Sequence, residues 1–217
     1  MFTDRLDLPI DPKRLSQQDQ TLSLSGMSWE DYEQITKESN GYRVSYFEGI
    51  ITIVSPSQSH EVIERIISIL INAYCRKCHK LYFPMGSTTL KNPLTVGKEP
   101  DTSYAFDTAK PLPDLAVEVV FSKEARRGNL AMSKSCFSSG GTADLIKYRH
   151  LGVNEVWFWQ NEQIKFYQLV DDRYIEIKFS YCLPNLSSEF LIEFINRGLT
   201  ESPLTIEADF FARLDSN

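Results

Sequence analysis

The chain has 217 residues, of which 42% are hydrophobic and 24% charged, with a formal net charge of -6 and a pI near 5.2. This is the composition of a globular domain with a full core, and it excludes a disordered chain. The acidic balance excludes a polycationic DNA binder, so any role on nucleic acid needs a local basic patch or a bound cation facing the phosphates. No apolar run reaches the length of a membrane span. The segment MFTDRLDLPIDPKRLSQQDQ lacks the apolar centre of a signal peptide. The expected setting is therefore the cytoplasm, with reduced cysteines and no membrane partner.

Residues 1–26 are polar and without periodicity, which predicts a mobile tail. Ser28 followed by Asp31 predicts a helix start, with Met27 and Tyr32 as the flanking apolar pair and Asn40-Gly41 as the stop. Tyr42–Phe47 and Ile50–Val54 predict a hairpin turning at Glu48-Gly49. Ser59 is the expected cap of a long helix over His60–Lys77, whose apolar stripe is Val62, Ile63, Ile66, Ile67, Leu70, Ile71 and Tyr74. Leu81–Met85 and Thr88–Leu90 predict short strands, Lys91–Lys98 a loop, and Asp101–Phe106 a further strand. Asp114–Phe121, DLAVEVVF, is a nearly continuous β-branched run and predicts a central strand. A helix is expected over Thr142–Leu151, closed at Gly152. Strands follow at Glu155–Trp159, Gln163–Leu169 and Arg173–Phe179, with turns at Asn161-Glu162 and Asp171-Asp172. A final helix is expected over Ser187–Leu199, closed by Gly198, and then a C-terminal tail over 201–217.

The four cysteines include Cys75-Arg76-Lys77-Cys78-His79, a C-x-x-C-H spelling. Haem attachment requires export, and zinc requires two further ligands that the neighbouring sequence does not offer. The pair reads as two small side chains at a helix end.

Glu118 is the anomaly of the chain. A carboxylate in the middle of DLAVEVVF is costly to bury unless it is paired or bound to a metal. Strand parity places Asp114, Ala116, Glu118 and Val120 on one face. Asp101 opens an extended run 17 residues earlier, a gap that suits neighbouring strands. Two carboxylates at adjacent strand ends make an oxygen site for Mg²⁺ or Mn²⁺. The competing readings are a salt bridge at Glu118 and a turn residue after Pro100.

Pro100-Asp101 followed by a strand carrying Glu118 resembles the PD-(D/E)XK nuclease signature. The order of short pieces along the chain is similar to the Uma-two family of restriction-endonuclease-like proteins. Those pieces are Ser55-Pro56-Ser57 with His60-Glu61, Gly86-Ser87-Thr88-Thr89, and Glu99-Pro100-Asp101. Pro113–Val119, Leu145-Ile146-Lys147-Tyr148 and Gly152–Trp157 complete them. The resemblance spans about residues 27–190, within a domain expected over 27–200. It implies a restriction-endonuclease-like core: a mixed α/β domain with a central mixed sheet flanked by helices and an N-terminal hairpin. It implies Asp101 and Glu118 as metal ligands for Mg²⁺ or Mn²⁺. Val120 stands where the signature has a lysine, and Lys147 on the later helix matches the lysine that substitutes for it. Glu61, in the first turn of the long helix, is the preferred supporting carboxylate, ahead of Glu48 and Glu64. The chain also departs from the family by a segment over 122–137, which reads as an inserted loop carrying Lys123, Arg126, Arg127 and Lys134.

The expected function is a Mg²⁺-dependent endonuclease acting on DNA, with Asp101, Glu118 and Lys147 as catalytic residues. A homodimer would follow by analogy with nucleases that cut two strands. The alternative is a nuclease-fold module without catalysis that binds protein or nucleic acid. The acidic charge, the valine at position 120 and the insertion favour that alternative.

Overall fold

The computed structural model describes residues 19–38, 41–121 and 141–214. Its elements in chain order are β1 (Gln20–Ser25), α1 (Trp29–Glu38), β2 (Arg43–Phe47), β3 (Ile50–Ser55) and α2 (Gln58–Lys77). Next come β4 (Tyr82–Pro84), β5 (Leu90–Asn92), β6 (Val96–Lys98), β7 (Thr102–Phe106) and β8 (Leu115–Val120). A 3₁₀ turn (Gly141–Asp144) leads into α3 (Leu145–Leu151), followed by β9 (Glu155–Gln160), β10 (Gln163–Val170), β11 (Arg173–Ile177), α4 (Ser188–Gly198) and α5 (Pro203–Leu214).

These strands build two sheets. One has the order β1-β3-β2-β6-β5 and the other β11-β10-β9-β8-β7-β4. The second is mixed, because β8 and β9 run parallel while its other pairs are antiparallel. This is the mixed α/β architecture expected from the sequence. Alternation along β8 sorts its side chains: Leu115, Val117 and Val119 face the cluster built with α2, α4 and α5, while Ala116 and Val120 face α3. The first sheet is sorted likewise. Val44, Tyr46, Ile51 and Ile53 pack with Tyr32 of α1, which leaves Arg43, Ser45 and Phe47 for the opposite face.

The local signals read in the sequence are largely realised. Ser28 and Asp31 cap α1 reciprocally, through Ser28 N to Asp31 Oδ2 at 2.8 Å and Asp31 N to Ser28 Oγ at 3.1 Å. The turns Glu48-Gly49, Asn161-Glu162 and Asp171-Asp172 have positive φ at both central residues, as two-residue hairpins with the right twist require.

Several expectations are corrected. The tail expected over 1–26 is contradicted at its end, where Gln20–Ser25 pairs along the whole of β3. The alternation of β1 rests on only two apolar residues, Leu22 and Leu24, between exposed Thr21, Ser23 and Ser25. The cap of α2 is Ser57, whose Oγ accepts from His60 N at 3.2 Å, so the helix begins at Gln58 rather than His60, and Val62 lies on its exposed side. The loop expected over Lys91–Lys98 is a hairpin of β5 and β6. Its turn has Leu94 at φ 64, a conformation that glycine or asparagine usually signals and leucine does not. Gly198 is the last residue of α4 rather than a left-handed cap; a Cβ there would sit 2.7 Å from Ile66 of α2, so the glycine permits close helix packing. The C-terminal stretch is helical through Leu214, where Ile206 and Phe210 are buried and Phe210 packs against Phe190 and Phe194. The proposed inserted loop, 122–137, lies outside the described residues, as do residues 1–18.

Candidate active site

The register of β7 and β8 brings the two anomalous carboxylates together. Thr102 pairs with Val117, and Asp101 N donates to Val117 O at 3.2 Å. Asp101 stands directly before the first pair of that ladder, and Glu118 directly follows Val117 on β8. Both side chains are buried, and both line one cavity between the two sheets. Arg43, Ser45 and Lys98 from the first sheet, His60 from the first turn of α2, Asp144 from the 3₁₀ turn and Asp19 complete its polar lining.

Each carboxylate has one oxygen held by the scaffold and one turned toward a cation. Asp101 Oδ2 accepts from Val119 N at 2.7 Å. Its Oδ1 lies 2.9 Å from His60 Nε2 and 3.5 Å from Arg43 Nε. Neither of those nitrogens is aligned as a hydrogen bond, so the contacts are ion pairs by distance only. Glu118 Oε1 accepts from the Tyr148 hydroxyl, and Oε2 from Lys98 Nζ at 3.0 Å. Lys98 also lies 3.4 Å from Asp144 Oδ2. Lys147 Nζ sits 2.8 Å from Asp144 Oδ1 and donates to Ser45 Oγ at 3.0 Å. At the other end, His60 Nδ1 is 2.9 Å from Asp19 Oδ2, and Asp19 Oδ1 accepts from Ser57 N at 2.8 Å.

Burial and neighbouring charge act on these groups in opposite directions. Burial, reinforced by the charges of Asp101 and Asp144, pushes Glu118 up to about 7 despite Lys98 beside it. Burial works against ionised Asp101 too, but His60, Lys98 and the Val119 N–H outweigh it and hold the group below its usual range. Burial would lower His60, yet Asp101 and Asp19 raise it to about 10, so the ring is an imidazolium at neutral pH. Asp144 is drawn down to about 2, since Lys98 and Lys147 overcome its burial. Lys98 is raised in spite of its burial, by Glu118, Asp144 and Asp101.

Of the residues singled out in the sequence, Asp101 and Glu118 are brought together. Lys147 is buried beside the site, but its ammonium meets Asp144 and Ser45 rather than either of that pair. Glu61 is partly exposed and reaches the site only through Arg43, at 3.6 Å. Glu64 is buried against Ser68 and Arg65, and Glu48 is an exposed turn residue. Sequence reasoning missed Lys98, Asp144, Asp19 and Arg43, and left His60 without a role. Lys98 carried a signal: it lies three residues before Asp101, at the end of an apolar Val-Gly step.

The donor set suits a hard divalent cation. Two buried carboxylates on one cavity wall supply the few oxygens that Mg²⁺ needs, because that ion keeps several of its waters. Among the described residues no group of three or more His, Cys, Asp or Glu is arranged to hold a metal. The fit therefore rests on the pair and on water. Cys75 and Cys78 are free, the first buried and the second exposed, and neither belongs to the site.

Fold and site together define a mixed α/β protein whose two sheets enclose paired carboxylates and lysines. The chain belongs to the Uma2 family, described as "Putative restriction endonuclease", which matches residues 29–201. No curated protein matches the chain. Among solved structures it is similar to a "putative nuclease belonging to DUF820" from Anabaena variabilis ATCC 29413, with 13% identity and a TM-score of 0.51. That similarity covers 78% of this chain and 99% of the other, and it supports the fold. No described helix is long and apolar enough to cross a membrane.

Proposed function

We propose that the protein is a divalent-metal-dependent endonuclease that hydrolyses phosphodiester bonds of DNA. The observation that carries this reading is the pair of buried carboxylates, Asp101 just before β7 and Glu118 on β8, which line one cavity. Asp101 and Glu118 would hold Mg²⁺ or Mn²⁺. Bound there, such an ion polarises a phosphodiester and lowers the pKa of a coordinated water. Arg43 lines the same cavity with an unaligned Nε, a donor suited to a phosphate oxygen. His60 pairs with Asp101 Oδ1 and is itself held by Asp19. Lys147 fixes Asp144 and thereby the 3₁₀ turn that borders the site. A homodimer, able to cut both strands, belongs to the same reading, and light scattering tests it.

The experiment is nicking of supercoiled plasmid in Mg²⁺ or Mn²⁺. The wild-type protein should nick, and Asp101→Ala should lose about a hundredfold or more in rate. One observation favours a second reading, a module that has kept the fold without catalysis. Val120 replaces the strand lysine, and each carboxylate oxygen of the pair already faces a donor or a cation. A folded wild-type protein that binds Mn²⁺ and DNA without cutting would decide for it.

A further inference from the structure

We propose that Lys98 is a built-in cation that fills the metal position in the free protein, and that its ammonium swings from Glu118 to Asp144 when a divalent ion binds. This rests on the reading of Asp101 and Glu118 as the metal pair. Glu118 Oε1 is committed to the Tyr148 hydroxyl and Asp101 Oδ2 to the Val119 N–H. The oxygens without an aligned backbone or hydroxyl donor are Glu118 Oε2 and Asp101 Oδ1, the latter facing His60 Nε2 at 2.9 Å and Arg43 Nε at 3.5 Å. Lys98 Nζ stands 3.0 Å from the first of these and is buried. An Mg²⁺ ion would bond the same oxygen at about 2.0–2.1 Å. Two cations on one oxygen, away from water, repel strongly.

The backbone of Lys98 has no room to retreat. It ends β6, which is paired on both sides with β2 and β5. Its neighbour Gly97 is packed so tightly that a Cβ would fall 2.2 Å from the Tyr32 ring. Only the side chain is left to move. Asp144 Oδ2, 3.4 Å from Nζ, is an acceptor already within reach, and Lys147 occupies the other oxygen of that carboxylate. The ammonium can therefore leave Glu118 without being stranded in the interior. Lys98 would keep the empty pair electrically balanced and at the same time weaken its hold on a metal.

Calorimetric titration with Mn²⁺ tests this without any measurement of cutting. Lys98→Met should bind Mn²⁺ at least about tenfold more tightly than the wild type, because the competing charge is gone. Asp101→Ala should abolish binding in both backgrounds. Equal affinities for wild type and Lys98→Met, with binding lost in Asp101→Ala, would overturn the role of Lys98 and leave the metal pair standing. No Mn²⁺ binding in any variant would overturn the metal pair and this inference with it. Should Lys98→Met fail to fold, Lys98→Gln, which removes the charge and keeps a hydrogen-bond donor for Glu118, is titrated in its place: Mn²⁺ binding at least about tenfold tighter than wild type is expected, and an unchanged affinity would overturn the role of Lys98.

Discussion

Neutralising the two buried carboxylates should change stability in opposite directions. Glu118 is buried and its proton is held up to about 7, against 4.5 for a free side chain. At about 1.36 kcal/mol per pH unit, this difference is worth up to about 3 kcal/mol against the ionised form. Because the folded state binds that proton more tightly, the contribution of Glu118 is fully favourable below pH 4.5 and is lost as pH rises through about 7. Glu118→Gln removes the penalty of the buried charge. It also removes the nearer partner of Lys98, which keeps Asp144 at 3.4 Å. The net gain expected at pH 8.5 is about 1–3 kcal/mol, or roughly 3–10 °C in Tm for a domain of this size. At pH 5 the gain should nearly vanish, since wild-type Glu118 is then largely protonated. Asp101 is the reverse case. Its ionised form is favoured in the fold, so Asp101→Asn should lower Tm at both pH values. Thermal melts in EDTA at pH 5 and pH 8.5 measure all of this. A Glu118→Gln protein that melts below wild type at pH 8.5, or by the same offset at both pH values, would refute the reasoning.

Lys147→Ala should destabilise by about 3 kcal/mol, because it strips a buried ammonium from Asp144 and Ser45; an unchanged urea midpoint would mean that the ammonium is solvated. Gly97→Ala should cost at least about 1–3 kcal/mol, since its methyl group meets the buried Tyr32 ring, and the same urea titration reads it. Ser57→Ala should cost about 1 kcal/mol through loss of the α2 cap, visible as a lower Tm. Truncation to residue 26 should lower Tm and promote aggregation, measured by light scattering on heating, because it bares the β3 edge and takes away Asp19 from His60.

What the sequence determined by itself was the part written in short-range pattern. The hairpin turns, the stripe of α2, the central β8 run and the parity that turns Glu118 away from Leu115, Val117 and Val119 all follow from periods of two and 3.6 residues. Glu118 stood out because a carboxylate within an apolar strand needs an explanation, and Asp101 because it opens the strand beside it. Strands with too little of that pattern were missed: β1 offers only Leu22 and Leu24 in alternation with Thr21, Ser23 and Ser25, and the β5–β6 turn uses a leucine where φ is positive. The rest of the site was decided only by tertiary structure. Lys98 meets Glu118 across 20 residues, Asp19 meets His60 across 41, and Lys147 meets Ser45 across 102. A lysine or an aspartate reads the same in sequence whether it faces solvent or a buried partner. Its role is set by the charge that the fold brings against it, and that pairing is a property of sheet order and packing, which no local window of the chain contains.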